Sequence, residues 1–211
     1  MRDRRDTTHL RSKAVLLYIP NIIGYIRLAL LATAVVLGKR YPYSTFVLIV
    51  TNFALDGVDG IIARALNQVS VFGAWLDVAI DNISRGAIWC WAVQGPLAVI
   101  PISVEFLTFA ATQEWGGAAW KTGCFNNAPS WVAAVMRNGF KSPAGILSVA
   151  GLFGMPLWLW SRRFLPEFCF GNLGIGAVLL AGRLLAASVE GWVLYEHLKV
   201  TLQEDAYKRA D

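Results

Sequence analysis

The sequence is organised around residues 56–64, DGVDGIIAR, and residues 73–81, GAWLDVAID. These segments carry four carboxylates and one arginine inside sequence that is otherwise apolar enough to cross a membrane. The carboxylates are those of Asp56, Asp59, Asp77 and Asp81. Ionised side chains within a membrane are costly and usually face a partner, a metal ion or a cavity. This stretch is therefore the first candidate for a functional site.

The spacing of the aspartates predicts two pairs on helical faces. Asp56 and Asp59 stand one turn apart at i, i+3, so they project from one face of a helix. Asp77 and Asp81 do the same at i, i+4. A short link at residues 65–70 would fold the two helices into a hairpin and bring both pairs to the same membrane depth. Because four anions at close range cannot all stay charged unaided, we expect one or two divalent cations held by oxygen ligands.

Composition indicates an integral membrane protein. The 211 residues are 56% hydrophobic and include several long runs with few charges. The net charge of +5 comes largely from basic residues beside the apolar runs, where they set orientation and meet anionic lipid headgroups. Nucleic acid is therefore not an expected partner. The predicted fold class is all-α, a bundle of six transmembrane helices with a short N-terminal surface helix. The expected spans are residues 21–38, 43–64, 71–93, 97–112, 143–160 and 171–195.

The same pattern predicts three regions. Residues 1–19 form a basic N-terminal segment with a juxtamembrane helix, residues 20–196 the membrane domain, and residues 197–211 a polar C-terminal tail. Six spans would place both termini on one side of the membrane. Basic residues are more frequent on that side, which favours a cytosolic amino terminus and a cytosolic face for the aspartates.

Cysteines and histidines exclude several classes of site. Cys90, Cys124 and Cys169 are odd in number and scattered, so neither a disulfide framework nor a zinc site is indicated. His9 and His197 are the only histidines and lie near the two ends of the chain. No Ser-His or Cys-His pair can be built from them, and a catalytic base would have to be a carboxylate.

The pattern D-x2-D-G-x2-A-R-x8-G-x3-D-x3-D is present without a departure and resembles the signature of the class-I CDP-alcohol phosphotransferase family. Within that family the chain looks most like eukaryotic phosphatidylinositol synthases, because PNIIGYIR at residues 20–27 lies upstream and ARALNQ at residues 63–68 continues the motif. The resemblance implies transfer of a phosphatidyl group from CDP-diacylglycerol to myo-inositol, which releases CMP and forms phosphatidylinositol. It also implies Mg²⁺ or Mn²⁺ as cofactor, with two ions, and a multi-pass protein of the endoplasmic reticulum bilayer. A homodimer is left open.

The resemblance also assigns roles to single residues. Asp56, Asp59 and Asp77 look like metal ligands, and Asp81 looks like a ligand that also serves as general base. The positions that match CDP-diacylglycerol-binding residues of the family are Gly60, Arg64 and Ser70.

Elementary chemistry agrees with part of that assignment. Gly60 and Ala63 lack bulk where a nucleotide must approach the backbone, and Arg64 offers forked donors to phosphate. Gly73 has two interpretations of equal weight, contact with substrate and close packing of membrane helices. The aspartates have a structural alternative as well, in which they pair with buried arginines. The candidate arginines are Arg27, Arg85 and Arg183, and Arg27 itself is best explained as a counter-charge.

The acceptor alcohol is less defined. In phosphatidylinositol synthases we expect an arginine directly after the last aspartate and a polar cluster in the fourth span. The departures of this chain are Asn82, Glu105, Thr108 and Phe109. Glycerol 3-phosphate, serine and phosphatidylglycerol are therefore alternative acceptors. Arg137 and Lys141, together with Lys121, could line an acceptor pocket, although headgroup contact or topology explains such loop charges better.

Two other classes of function remain as alternatives. Intramembrane acids also mark the paths of cation transporters and channels. Against this, the sequence has no inverted repeat, and Arg64 beside the acids would oppose a passing cation. A catalytically silent scaffold would carry the same motif.

Overall fold

The computed structural model is helical throughout the part it describes, residues 14–93, 95–116, 125, 128–168 and 172–208, and no strand occurs in those ranges. The predicted all-α fold class is therefore confirmed. The α-helices are α1 (Ile19–Leu37), α2 (Pro42–Ala65), α3 (Val71–Ala92), α4 (Val99–Gly116), α5 (Ser130–Phe140), α6 (Pro143–Phe164) and α7 (Leu173–Lys208), with 3₁₀ turns at Gly38–Arg40 and Pro96–Ala98.

Five of the described helical segments are long and apolar enough to cross a membrane, so the chain is a multi-pass membrane protein. They are Ile19–Arg40, Pro42–Ala65, Pro96–Glu114, Pro143–Phe164 and Leu173–Lys208. Helix α3 has 22 residues but is not among them. It carries Asp77, Asp81 and Arg85, which lower its hydropathy. The count of six spans therefore stays a prediction.

The turn between α2 and α3 is built from residues suited to helix ends. Asn67 takes a left-handed conformation with φ 53°, which asparagine tolerates better than most residues. The backbone N–H of Gln68 then donates to the carbonyl of Ala63 at 2.8 Å and closes the end of α2. Ser70 caps α3, since its Oγ accepts from the backbone N–H of Gly73 at 3.0 Å. The hairpin predicted for the two aspartate pairs thus has defined ends.

The last helix extends beyond the membrane span predicted from sequence. That span is predicted to end at residue 195, and α7 continues to Lys208 through much of the segment expected to be a polar tail. Residues 196–208 contain neither glycine nor proline and are rich in good helix formers, so nothing local ends the helix. At the other terminus, residues 14–16 are helical, consistent with the expected juxtamembrane helix. The parts of the sequence analysis that lie outside the described residues are residues 1–13, Lys121, Cys124, Cys169, residue 171 at the start of the predicted sixth span, and residues 209–211 of the predicted tail.

The chain divides into two compact units, Met1–Ala87 and Ile88–Asp211, with the boundary inside α3. In the first unit α1 packs against α2, and α3 approaches α1 at Gly24. A Cβ on Gly24 would lie 3.2 Å from a methyl carbon of Leu76, so α1 and α3 are closely spaced there. The predicted regions at residues 1–19, 20–196 and 197–211 stay predictions.

In the second unit, α6 and α7 approach each other at two glycines. A Cβ on Gly182 would lie 3.1 Å from the Cα of Gly151, and its nearest neighbour would be a backbone carbonyl of α6. Small residues of this kind allow membrane helices to pack backbone against backbone. The buried face of α5, with Val132 and Val135, packs in the same unit against Val189 of α7.

Candidate metal centre

The four aspartates of the motif surround one guanidinium group, that of Arg27 on α1. Arg27 Nη1 lies 3.1 Å from Asp56 Oδ1 and 2.9 Å from Asp59 Oδ2, both on α2. It also donates to Asp77 Oδ1 on α3 at 2.7 Å. Arg27 Nη2 donates to Asp81 Oδ1. Three helices therefore bring the two predicted acidic pairs to one small volume.

The donor set fits a divalent cation. Asp56, Asp59 and Asp77 each offer one carboxylate oxygen, and these oxygens all lie within 4.8 Å of one another. Carboxylate oxygens are the hard ligands that Mg²⁺, Mn²⁺ and Ca²⁺ prefer. A second guanidinium, that of Arg85, comes within 3.7 Å of Asp81 Oδ2. Four carboxylates against two guanidinium groups leave an excess of negative charge that a divalent ion would neutralise.

A cleft of about 160 Å³ in the first unit brings the other predicted site residues to this cluster. Two of the aspartates, Asp59 and Asp77, line it. The predicted lipid-binding positions Gly60, Arg64 and Ser70 line it with them, as do the two possible positions Ala63 and Gly73. All of these positions, which were selected by sequence alone, therefore face one space. Asp56 and Asp81 are not among the lining residues.

Comparison with known proteins identifies the family. Residues 17–198 match the family model described as CDP-alcohol phosphatidyltransferase. The chain belongs to this family. The predicted resemblance is therefore confirmed over most of the chain.

Several curated relatives carry the name CDP-diacylglycerol–inositol 3-phosphatidyltransferase. Enzyme 1 of Arabidopsis thaliana is 46% identical over 77 residues, which are 36% of this chain and 33% of the relative. The Saccharomyces cerevisiae protein is 42% identical over 83 residues, 39% of this chain and 38% of the relative. The Drosophila melanogaster protein is 43% identical over 69 residues, 32% of this chain and 30% of the relative. The matched segment thus spans about a third of the length of these relatives. No solved structure matches the chain.

Asn52 is a buried residue beside the aspartate cluster that sequence reasoning missed. Its Nδ2 donates to the backbone carbonyl of Arg27 at 2.7 Å, and the residue is 1% exposed. Ser84 Oγ on α3 donates to Asn52 Oδ1 at 3.4 Å. Asn52 therefore connects the helices that carry Arg27 and the aspartates. The available signal was its position four residues before Asp56, on the same helical face and within an apolar run.

Loop residues fix the start of α1 in the same unit. Gln68 Oε1 accepts from the backbone N–H of Ile19 at 2.9 Å, so the α2–α3 link ties down an otherwise unpaired donor of α1. Asn21 Nδ2 donates to the carbonyl of Val15 at 2.6 Å. Ser70 has a structural role as a helix cap in addition to its place in the cleft.

The two basic candidates for an acceptor pocket, Arg137 and Lys141, belong to the second unit and are exposed at the end of α5. The helix breaks at Arg137, whose ψ is 131°. Asn138, Gly139 and Phe140 follow with positive φ, which is unusual for a bulky residue such as phenylalanine. A role of Arg137 and Lys141 in an acceptor pocket stays a prediction.

Glu105, which departs from the expected family pattern, is buried and has polar partners in the second unit. Its Oε1 lies 3.4 Å from Arg183 Nη2 and 3.3 Å from Trp89 Nε1. Arg183 Nη1 also lies 2.8 Å from Glu190 Oε2. Arg183 is therefore paired with two glutamates of its own unit.

The other departures from the family pattern, Asn82, Thr108 and Phe109, have only local hydrogen bonds or none among the described residues. Asn82 Nδ2 donates to the carbonyl of Val78 one turn earlier, which is a bond within α3. Thr108 Oγ1 is buried without a hydrogen-bond partner among the described residues. The carbonyl of Phe109 accepts from Thr112 Oγ1 at 2.9 Å. These contacts leave the expectation of an altered acceptor pocket as a prediction.

Proposed function

We propose that the protein transfers the phosphatidyl group of CDP-diacylglycerol to myo-inositol, releasing CMP and forming phosphatidylinositol. The observation that carries the proposal is the meeting of four motif aspartates beside a cleft lined by Gly60, Arg64 and Ser70. The family of the chain and the names of its curated relatives support the same reaction.

The cleft suits the nucleotide end of the donor. Gly60 offers open backbone there, since the only side chain near an added Cβ would be that of Arg64, with Nη1 at 3.4 Å. The guanidinium of Arg64 can donate two parallel hydrogen bonds to phosphate oxygens. Gly73 and Ala63 also line the cleft and add little bulk to it. These residues would hold the diphosphate against Asp59 and Asp77.

The ligands of the divalent ion would be Asp56, Asp59, Asp77 and Asp81. Mg²⁺ and Mn²⁺ both suit carboxylate oxygens, and we propose two ions, the second balanced by the negative charges of the donor's diphosphate. When bound, the metal neutralises charge that builds on the leaving phosphate.

Asp81 is the proposed general base. Its carboxylate would accept the proton of an inositol hydroxyl as that oxygen bonds to the lipid-bearing phosphorus. The bond from this phosphorus to the bridging oxygen breaks at the same time, and CMP leaves with the electron pair. Arg27 Nη2 and Arg85 approach different oxygens of Asp81, so its carboxylate is held in one orientation.

The proposal is tested by CMP release from the purified protein in CDP-diacylglycerol vesicles with inositol and Mg²⁺ or Mn²⁺. A parallel panel with glycerol 3-phosphate, serine and phosphatidylglycerol tests the acceptor, because Asn82, Glu105, Thr108 and Phe109 depart from the pattern expected for inositol. Turnover with inositol is expected. Turnover with another alcohol alone would retain the mechanism and reject the substrate, and no CMP release with any alcohol would reject the enzyme.

The proposed location is the endoplasmic reticulum, with the aspartates on the cytosolic side. The excess of basic residues on the side of the termini supports this orientation. A single cysteine placed in the α2–α3 link of a variant that lacks Cys90, Cys124 and Cys169, and labelled with an impermeant reagent in sealed microsomes, tests it. Labelling without permeabilisation is expected, and labelling only after permeabilisation would reverse the orientation.

A further inference from the structure

Arg27 occupies the point at which the carboxylates converge. Its Nη1 lies between 2.7 and 3.1 Å from oxygens of Asp56, Asp59 and Asp77, and its side chain is 0% exposed. Its Nε has no hydrogen-bond partner among the described residues. A buried donor without a partner is costly, so this orientation of the guanidinium is a compromise set by the carboxylates.

A divalent ion and Arg27 Nη1 compete for the same place. Oxygens of Asp56, Asp59 and Asp77 lie within 4.8 Å of one another, and Nη1 is within hydrogen-bond distance of an oxygen of each. An ion the size of Mg²⁺ binds oxygen at about 2.0–2.1 Å, so an ion shared by the three would lie close to the position of Nη1. Two cations cannot share that position.

We propose that Arg27 is a displaceable internal counter-ion. Without metal, its guanidinium neutralises the aspartates and keeps α1, α2 and α3 together; when a divalent ion binds, Nη1 leaves the shared position. Arg27 then remains tied to Asp81 through the outer part of its guanidinium, and rotation lets the unpaired Nε find an acceptor. This inference rests on the metal binding in the proposed function and adds how the site is kept assembled before metal arrives.

The charges around the cluster favour such an exchange. In hydrocarbon, four carboxylates without a cation would repel one another and separate the helices that carry them. A monovalent guanidinium is enough to hold them, while a divalent ion interacts about twice as strongly at equal distance and replaces it. Arg85 approaches Asp81 Oδ2, whereas Arg27 contacts Asp81 Oδ1, so Arg85 can stay in place during the exchange.

The test is Mn²⁺ binding to the detergent-solubilised full chain, followed by the electron paramagnetic resonance signal of free Mn²⁺. In Arg27→Ala the dissociation constant should fall roughly tenfold or more, since one unit charge at about 3 Å is worth that factor even with water-like screening. Guanidinium ion added to Arg27→Ala should then enter the vacated space and raise the apparent dissociation constant in a competitive manner. It should not do so in the wild-type protein.

A matched control is Arg183→Ala, which also removes a buried arginine with carboxylate partners, Glu105 and Glu190. Mn²⁺ affinity should be unchanged in this variant, with or without guanidinium. Arg27→Lys is a second variant that keeps the positive charge. It tests the proposal even if Arg27→Ala does not fold. Its Mn²⁺ affinity should lie between those of the wild type and Arg27→Ala. Among the wild type and these three variants, the increase in melting temperature on adding Mn²⁺ should be largest for Arg27→Ala.

The outcomes separate the two proposals. Suppose that Mn²⁺ binds the wild type, but that added guanidinium does not weaken the binding of Mn²⁺ to Arg27→Ala. Metal and guanidinium then occupy different places, and the counter-ion proposal fails while the proposed function stands. Weaker Mn²⁺ binding by Arg27→Ala than by the wild type would overturn it as well. If the wild type binds no Mn²⁺, the metal-dependent function and the counter-ion proposal fail together.

Discussion

Gly73 at the start of α3 lies so close to Asn21 of α1 that a Cβ on residue 73 would be 2.7 Å from Asn21 Oδ1. Asn21 is 2% exposed and its amide is bonded to the Val15 carbonyl, so it cannot move away easily. The same Cβ would lie 3.0 Å from the capping oxygen of Ser70. This contact explains Gly73 by packing, in addition to its place in the cleft.

Gly73→Ala should therefore destabilise the protein. We expect a loss of about 1–3 kcal/mol in the free energy of unfolding, as for other overpacked positions, measured by thermal unfolding in detergent. Gly57→Ala is the matched control, since an added Cβ there meets nothing within 4 Å. An unchanged melting temperature with a raised KM for CDP-diacylglycerol would favour substrate contact over packing.

Gly60→Ala tests the lipid-binding role of the cleft. Its Cβ would meet only the mobile end of Arg64, with Nη1 at 3.4 Å, so the melting temperature should stay within the error of the wild type. The new methyl group would occupy space proposed for the nucleotide. The KM for CDP-diacylglycerol should rise about tenfold, corresponding to about 1.4 kcal/mol. An unchanged KM would place the nucleotide elsewhere.

Asn52→Ala tests the connection between α1 and α2. The substitution leaves the carbonyl of Arg27 without its side-chain donor and opens a small space beside a buried charge, which should cost about 1–3 kcal/mol in unfolding free energy. Mn²⁺ affinity should fall because the cluster is less well held. Asn82→Ala, which removes an asparagine bonded only within its own helix and near Arg85, is the comparison and should have the smaller effect on stability.

Asp81→Asn tests the proposed base. The amide cannot accept the proton of the attacking hydroxyl, so kcat for CMP release should fall by about 10²–10⁴. Asp205→Asn, at an exposed position near the end of α7, should keep full activity.

Removal of divalent ions with EDTA should abolish CMP release in the wild type, and Mg²⁺ or Mn²⁺ should restore it. Persistent turnover after EDTA would contradict a metal-dependent reaction.

The aspartate cluster could be predicted from sequence because local rules govern it. The turn spacing of Asp56 and Asp59 fixes their shared face, and a short link with Asn67 and Ser70 forces a hairpin. Those two facts bring both acidic pairs to one place, and no knowledge of distant packing is needed.

The centre of the cluster depends on a third helix, and there the sequence was less informative. Arg27 was expected only as a counter-charge, since its contact with all four aspartates depends on how α1 packs against α2 and α3. Asn52 was missed for the same reason, because its acceptor is a backbone carbonyl of another helix. The sequence predicts the last membrane span to end at residue 195, and the continuation of α7 to Lys208 was not predicted, because the change to polar residues does not by itself end a helix.

The length of α7 has a practical consequence. Its 36 residues extend over about 54 Å at 1.5 Å per residue. The hydrocarbon core of a bilayer is only about 30 Å thick. An upright helix of this length is therefore about 24 Å longer than that core, and its polar turns near Lys208 are the part expected to extend beyond it. A fluorophore attached near Lys208 would report the height of those turns above the headgroups. Quenchers placed at graded depths in the bilayer would measure that height and, with it, the depth to which the protein is inserted.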